Sequence, residues 1–206
     1  MQRKSPFIQP CHPTLRKEPP TSPGWLHEVK FDGYRIQLHK DGGQVILYSR
    51  NGNDLTSRYP TIAQAVAQLP TKAVVLDAEL TACSDDGSPD FSALLRKRDT
   101  HLCVWVFDIL SQFGKDLRPL PLTARRSKLD KLMDRVKNPI IRYSETFSDP
   151  VVLLAVCEQR GLEGIVSKRA NAPYTSGTTK AWIKVKCPRW REENTWRHEF
   201  SRGCDR

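Results

Sequence analysis

Apolar and polar residues alternate through three short runs near the start of the chain, 25–30, 34–40 and 44–50, and this period of two predicts strands. Asp41-Gly42-Gly43 separates the last two, and a glycine pair between alternating runs predicts a tight hairpin. From 57 to 69 the period lengthens, so that Ile62, Val66 and Leu69 fall on one face of a helix. Residues 73–82 return to a strand pattern, 84–90 read as a polar loop, and the strongly apolar run 103–110 predicts a buried strand. A helix is predicted over 122–136, with Leu129, Leu132, Met133 and Val136 on one face and Thr123 as its cap. A second spans 149–160, with Asp149 at the cap, Pro150 in the first turn and Gly161 at the stop. Short strands follow at 164–168 and 181–186. Six of the fifteen prolines lie in residues 1–24, which predicts an extended lead-in strap, and 188–206 form a short charged tail. The whole reads as one α+β domain over 25–187, with antiparallel sheets flanked by helices.

Composition narrows the partners. The 206 residues, 38% of them hydrophobic, suffice for a sizeable core. A formal net charge of +10 and a pI near 9.5 point to an anionic partner, which can be nucleic acid or a membrane surface, although plain solubility explains them as well. The start, MQRKSPFIQPC, lacks the apolar stretch of a signal peptide, and the longest apolar run, 151–157, is too short to cross a bilayer. A soluble, cytoplasmic monomer without a membrane partner is expected. Six scattered cysteines without CxxC pairs predict reduced thiols, neither a zinc site nor a disulfide framework. From Lys180 onward eight Lys/Arg stand against four Asp/Glu, with Trp182, Trp190 and Trp196 interleaved. That segment is either a helix packing its tryptophans on the core or a surface for a phosphate backbone.

Charges occur where strands should be apolar. Alternation puts Glu28 and Lys30 on one sheet face, Asp77 and Glu79 on another, and Lys184 and Lys186 on a third. Any one pair fits a solvated face. Three together, each beside an apolar run, predict a shared polar groove of cations and carboxylates suited to a metal-bound polyphosphate.

At this point the residues resemble a known family. Lys30-Phe31-Asp32-Gly33 matches the K-x-D-G signature of the covalent nucleotidyltransferases, which include DNA ligases, RNA ligases and mRNA capping enzymes. Companion motifs follow in order: Ser49-Arg50-Asn51-Gly52, Leu76-Asp77-Ala78-Glu79-Leu80, Val106-Phe107-Asp108-Ile109-Leu110, Glu163-Gly164-Ile165-Val166-Ser167-Lys168 and Trp182-Ile183-Lys184-Val185-Lys186. A lone KxDG is weak; six ordered matches across residues 28 to 186 are specific. Their wording is most similar to bacterial ATP-dependent DNA ligases, especially the ligase module of nonhomologous end-joining enzymes. There is no Walker-type phosphate loop, which disfavours a metabolic kinase.

The resemblance implies an ATP-grasp-like nucleotidyltransferase core working in DNA repair. Lys30 would attack the α-phosphate of ATP, carry AMP covalently, pass it to a DNA 5′-phosphate, and let the 3′-hydroxyl displace it. Its ammonium pKa would have to fall, through desolvation and the neighbouring cations Lys184 and Lys186, which would also bind the α-phosphate. Glu79 and Glu163 match carboxylates for ribose and for Mg²⁺ or Mn²⁺, and Glu28 lies where the family reads the adenine edge. Phe107 matches the aromatic that stacks on adenine; a buried core phenylalanine explains its pattern equally well. Arg35 and Arg50 match contacts to the nucleotide and the nick 5′-phosphate. Asp32 would orient groups or a metal-bound water, and Gly33 would allow close backbone approach. Nicked duplex DNA is the implied partner, in a bacterial cytosol near the nucleoid. The family's OB-fold domain, which carries a sixth motif orienting pyrophosphate, has no counterpart after Lys186. A minimal ligase, an excised fragment and a separately encoded OB-type or end-joining partner are all compatible with that. The alternatives are an RNA ligase or capping-type enzyme, and a non-catalytic module that binds nicks or ends.

Overall fold

A computed structural model of the chain describes residues 6–83 and 102–194. The predicted polar loop at 84–90 lies outside these, as do Trp196, Arg197, Arg202 and Cys204. The strands in chain order are β1 (Cys11–Leu15), β2 (Trp25–Lys30), β3 (Tyr34–Asp41), β4 (Gln44–Ser49), β5 (Ala73–Ala82), β6 (Leu102–Gln112), β7 (Lys115–Asp116), β8 (Ile141–Tyr143), β9 (Gly164–Arg169) and β10 (Gly177–Lys186). Four described helices accompany them: α1 (Pro60–Ala67), α2 (Leu122–Met133), α3 (Pro150–Gln159) and α4 (Pro188–Glu193).

The strands form two sheets. One has the order β1-β10-β9-β2; the other runs β4-β3-β5-β6-β7, with β8 also paired to β6. Most pairings are antiparallel as expected, but β1 on β10 and β8 on β6 are parallel. The proline-rich lead-in is therefore more than a strap: it supplies an edge strand. Its prolines are tolerated there because an edge strand leaves one side of its backbone without ladder partners. The hairpin appears where the glycine pair predicted it, with Asp41 opposite Gln44 and Gly42 at φ +56°.

Three apolar clusters hold the fold. The largest packs Ile36, Leu38, Leu76 and Leu80 of the six-stranded sheet against Ile62 and Val66 of α1 and Leu129 and Leu132 of α2. A second sets Leu153 and Cys157 of α3 and Trp190 of α4 under Ile165 and Val185. The third contains Cys11 and Trp182 from one sheet and Val75 and Leu110 from the other, so it joins the two. Trp190 is only 7% exposed, so that part of the basic tail packs on the core. The five described cysteines are all buried. No helix among the described residues is long and apolar enough to cross a membrane.

Two helix starts illustrate how orphan amide groups are satisfied. Asp149 caps α3 as its sequence predicts, accepting from the Val151 and Val152 N–H groups. The expected cap at Thr123 is not one. Pro121 occupies the cap of α2 without a side-chain bond, and the Leu122 and Thr123 N–H groups donate to the carbonyls of Ala172 and Ala170. Tertiary partners from a distant loop have replaced the local one.

Candidate active site

Residues of both sheets wall a cleft of about 680 Å³. The strand register explains which side chains reach it. Three rows cross the smaller sheet: Lys30, Gly164 and Lys186; Glu28, Val166 and Lys184; Leu26, Lys168 and Trp182. Alternate residues of a strand share a face, and every one of these except Leu26 and Gly164 lines the cleft. From the larger sheet and its loops come Arg35, Arg50, Glu79 and Phe107, while Asp32 and Gly33 follow β2. The structure thus gathers Glu28, Lys30, Asp32, Arg35, Arg50, Glu79, Phe107, Glu163, Lys184 and Lys186 around one space.

At its centre two lysines share one carboxylate. Lys30 Nζ lies 2.7 Å from Glu163 Oε2, and Lys186 Nζ lies 3.0 Å from Glu163 Oε1. Gly164 stands between the two lysines in the sheet. Its φ of +148° is unfavourable for other residues, and a β-carbon there would come within 2.0 Å of the Val185 carbonyl oxygen. Gly33 is comparably confined, since a β-carbon would meet the Leu80 carbonyl oxygen at 2.2 Å. Only glycine lets the segment carrying Lys30 run this close to β5.

The protonation of Lys30 departs from expectation. Burial works to lower its pKa, but Glu163, Glu79 and Asp32 outweigh it, so the ammonium is held above the usual lysine range. The predicted depression of Lys30 by cations does not hold in the free protein. Two other lysines of the cleft do fall: Lys184 through burial and then through Lys30 and Lys186, and Lys168 through burial against the pull of Glu28. Glu163 resists burial and stays below the usual carboxylate range because both lysines face it. Glu79 behaves oppositely: burial, against the pull of Lys30 and Arg35, pushes its carboxyl up to about 7.

A second charged group closes the far end. Glu28 receives Lys168 Nζ at 2.7 Å, Arg126 Nη1 at 3.3 Å and the Ser144 hydroxyl at 3.1 Å. Lys168 is 2% exposed and sits over the rings of Phe107 and Trp182, at 4.6 and 4.3 Å. Phe107 lines the cleft and also packs edge-on against Trp182, with ring centroids 6.1 Å apart. Phe107 is thus half-buried, with one side packed on the core and the other on the cleft. Arg35 is firmly anchored, with Nε and Nη2 on the two Asp77 oxygens at 3.0 and 2.6 Å. Tyr174 donates its hydroxyl to Asp77 at 2.6 Å. Asp77 is fully buried and does not line the cleft, so the expected groove pair divides: Glu79 faces the space and Asp77 braces Arg35 from behind.

The sequence pattern does not single out Lys168, Trp182 or His12 as residues of this cleft, nor Arg126 and Tyr174 as the partners that brace Glu28 and Asp77. Lys168 is within its reach, because it lies an even number of residues after Gly164 on the strand face that meets the cleft. Arg126 and Tyr174 come from a helix and a loop, where no alternation marks them.

The cleft also fits a divalent cation bound together with phosphate. Among the described residues no group of three or more His, Cys, Asp or Glu could hold a metal ion alone. Glu79 and Glu163 are hard oxygen donors, and Mg²⁺ is commonly held by one or two carboxylates plus waters and substrate phosphates. An incoming cation would favour the ionised Glu79 that burial disfavours.

A family model described as ATP dependent DNA ligase domain matches residues 9–186. The multifunctional non-homologous end joining protein LigD of Pseudomonas aeruginosa is 37% identical over 186 residues, which cover 88% of this chain and 22% of the relative. The SPbeta prophage-derived DNA ligase-like protein LigB of Bacillus subtilis is 32% identical, covering 87% of this chain and 67% of the relative. Among solved structures, a mycobacterial DNA ligase D complexed with ATP and MES superposes with a TM-score of 0.78 at 30% identity, over 87% of this chain and 60% of that one.

Proposed function

This chain belongs to the ATP-dependent DNA ligase family, and from that premise we propose that it is a nucleotidyltransferase core that carries AMP on Lys30 and seals nicked duplex DNA. The observation that supports this reading best is the Lys30–Glu163–Lys186 cluster, with one buried carboxylate between two half-buried ammonium groups. A lysine amine can form a phosphoramidate and leave from it again, which is the property a carrier of AMP needs.

Lys30 Nζ first loses a proton, and its lone pair then forms a bond to the α-phosphorus of ATP as the bond to pyrophosphate breaks. Lys184 and Lys186 face the growing charge on the α-phosphate oxygens. Glu28, held by Lys168, Arg126 and Ser144, presents a fixed polar edge to the base, and Phe107 a ring to its face. In the second step a DNA 5′-phosphate oxygen attacks the same phosphorus and Lys30 leaves. In the third, the nick 3′-hydroxyl attacks the 5′-phosphorus and AMP leaves. Glu79 and Glu163 would hold a divalent cation, which supplies charge neutralisation for the triphosphate. An OB-type domain, on the same or another polypeptide, is the partner that would orient pyrophosphate. We place the protein in the bacterial cytosol as a monomer.

Incubation with ATP and Mg²⁺ followed by intact-mass measurement tests this. One AMP adduct is expected, absent from Lys30→Ala and reversed by pyrophosphate. An adduct that survives Lys30→Ala would sink the assignment. Presenting the adduct with nicked DNA and with the matching RNA nick separates the DNA reading from the RNA-ligase one.

A further inference from the structure

Lys30 ends β2 in the smaller sheet and Tyr34 begins β3 in the larger, so Phe31, Asp32 and Gly33 carry the chain from one sheet to the other. The proposed nucleophile hangs on this crossing, and its reach depends on how the crossing is fastened. Gly33, pressed against the Leu80 carbonyl, is one fastening. The other is aromatic. Phe31 stacks on Trp105 of β6, with ring centroids 4.2 Å apart and ring planes within 14° of parallel.

Trp105 is itself held from two sides. Its indole Nε1–H donates to Thr81 Oγ1 at 3.1 Å, and the Arg142 guanidinium lies 5.2 Å from its ring centroid. Arg142 in turn donates its Nε–H to the Pro139 carbonyl at 3.3 Å. Strand register puts Trp105 in one row with Glu79 on β5 and Arg142 on β8. It therefore stands beside the carboxyl that faces the cleft. Phe31 is one of the residues that line the cleft and Trp105 is not. A side chain that touches no cleft space, yet is packed flat on the residue next to the nucleophile, is placed to set geometry rather than to bind ligand.

We propose that Trp105 is a positioning residue for the attack on ATP: through Phe31 it fixes how far Lys30 Nζ reaches toward the α-phosphorus. The inference rests on the proposed function, in which Lys30 carries AMP. Two stacked rings, one of them hydrogen-bonded at its edge, define both the height and the tilt of the crossing. Phe31 follows Lys30 directly, so a shift of its ring moves the backbone that carries the amine. Phe107, Lys184 and Lys186, which would hold the nucleotide, lie on β6 and β10 away from the crossing and keep their places. Losing the stack should therefore reduce the rate of attack and leave ATP binding nearly intact.

The test is single-turnover formation of the AMP adduct over a range of ATP concentrations, read by intact mass, with melting temperature measured alongside. The proteins are wild type, Phe31→Leu, Trp105→Leu, the double variant and Trp105→Phe. Each leucine variant should lower the maximal rate by up to about 100-fold, the loss expected from a displacement of roughly 1 Å at the reacting atoms. The ATP concentration that gives half the maximal rate should change by less than about threefold, since the contact acts on the chemical step alone. Trp105→Phe keeps a ring beneath Phe31 and should recover most of the rate. The double variant should be no slower than the slower single one, because both changes remove the same contact. Losses that multiply in the double variant, or an ATP requirement that rises in step with the loss of rate, overturn the proposal. If Trp105→Leu melts too low to assay, the two milder variants decide. Phe31→Leu at the wild-type rate, or Trp105→Phe slowed as much as Phe31→Leu, overturns it as well. A wild-type protein that forms no adduct refutes the assignment of Lys30 and this role with it, whereas a wild-type adduct matched by every variant refutes the role of Trp105 alone.

Discussion

Lys30 on β2 and Glu163, one residue before β9, meet at 2.7 Å, and this contact keeps the proposed nucleophile protonated in the free protein. An ammonium cannot attack phosphorus, so the resting cleft holds Lys30 in place but switched off. Binding of a cation to Glu79 and Glu163 would weaken their hold on the proton.

The first prediction concerns that proton. Because the folded pKa of Lys30 is raised, the free-amine fraction at neutral pH is small and grows as pH rises. Single-turnover AMP-adduct formation with saturating ATP and Mg²⁺ should accelerate by up to about tenfold per pH unit from pH 7 upward, as expected when one deprotonation limits the rate. The profile is to be read by intact mass at short times. A flat profile across pH 7 to 9 would mean that ligand binding has already removed the proton.

Glu79 gives a second pH dependence, of opposite origin. Its folded pKa, pushed up to about 7, exceeds the roughly 4.3 of a free glutamate, so the folded state binds this proton more tightly than the unfolded state. The stability it confers is complete below the unfolded value and is lost as pH rises through about 7. Melting temperature should therefore decline from pH 5 to 8, and Glu79→Gln should flatten the decline. Mg²⁺ should raise the melting temperature more at pH 8 than at pH 5. Parallel curves for both proteins, with and without Mg²⁺, would leave Glu79 no part in the linkage.

Asp77 and Glu79 are two residues apart but should respond differently. Asp77 is fully buried against Arg35 and Tyr174, so Asp77→Ala leaves a guanidinium without its counterion and should cost about 3–5 kcal/mol in denaturant unfolding. Glu79→Ala, which breaks no ion pair among the described residues, should abolish most adduct formation with a much smaller loss of stability. Equal losses of stability would return both residues to the same structural role.

The contrast shows what the sequence can carry. The charged positions on Trp25–Lys30 and Gly177–Lys186 are readable because strand alternation assigns each a face, and the register then brings Lys30 and Lys186 to opposite sides of Gly164. Asp77 escapes that reading because alternation says which residues share a face but not which of them is covered by a side chain from another strand. The proton on Lys30 escapes it for a related reason. Its field depends on Glu163, which is 133 residues away in the chain. Thr123 yields its capping role to the carbonyls of Ala170 and Ala172, a contact between segments that no local pattern records. The lead-in strand is hidden because its prolines argue against a strand everywhere except at an edge.

The last prediction concerns the basic tail. Its sequence allows packing on the core or contact with a phosphate backbone, and the described part divides these by side chain. Trp190 is buried beneath α3 and carries Lys186 Nζ over its ring at 4.2 Å, so this tryptophan belongs to the core. Arg189 points outward at 63% exposure, and its guanidinium pairs with Glu193 at 2.8 Å, an i,i+4 pair of the kind that contributes little in water. Such a pair exchanges readily for a phosphate. Replacing Arg189, Arg191, Arg197 and Arg202 by Gln should therefore weaken nicked-duplex binding and flatten its dependence on salt. For every duplex phosphate that the variant no longer neutralises, the slope of log affinity against log salt should shrink by roughly 0.9. Adduct formation by Lys30 serves as the control, because it requires a folded cleft but no DNA. Unchanged affinity and slope would confine the tail to its packing role, whereas a flatter slope with normal adduct formation would make it part of the DNA surface.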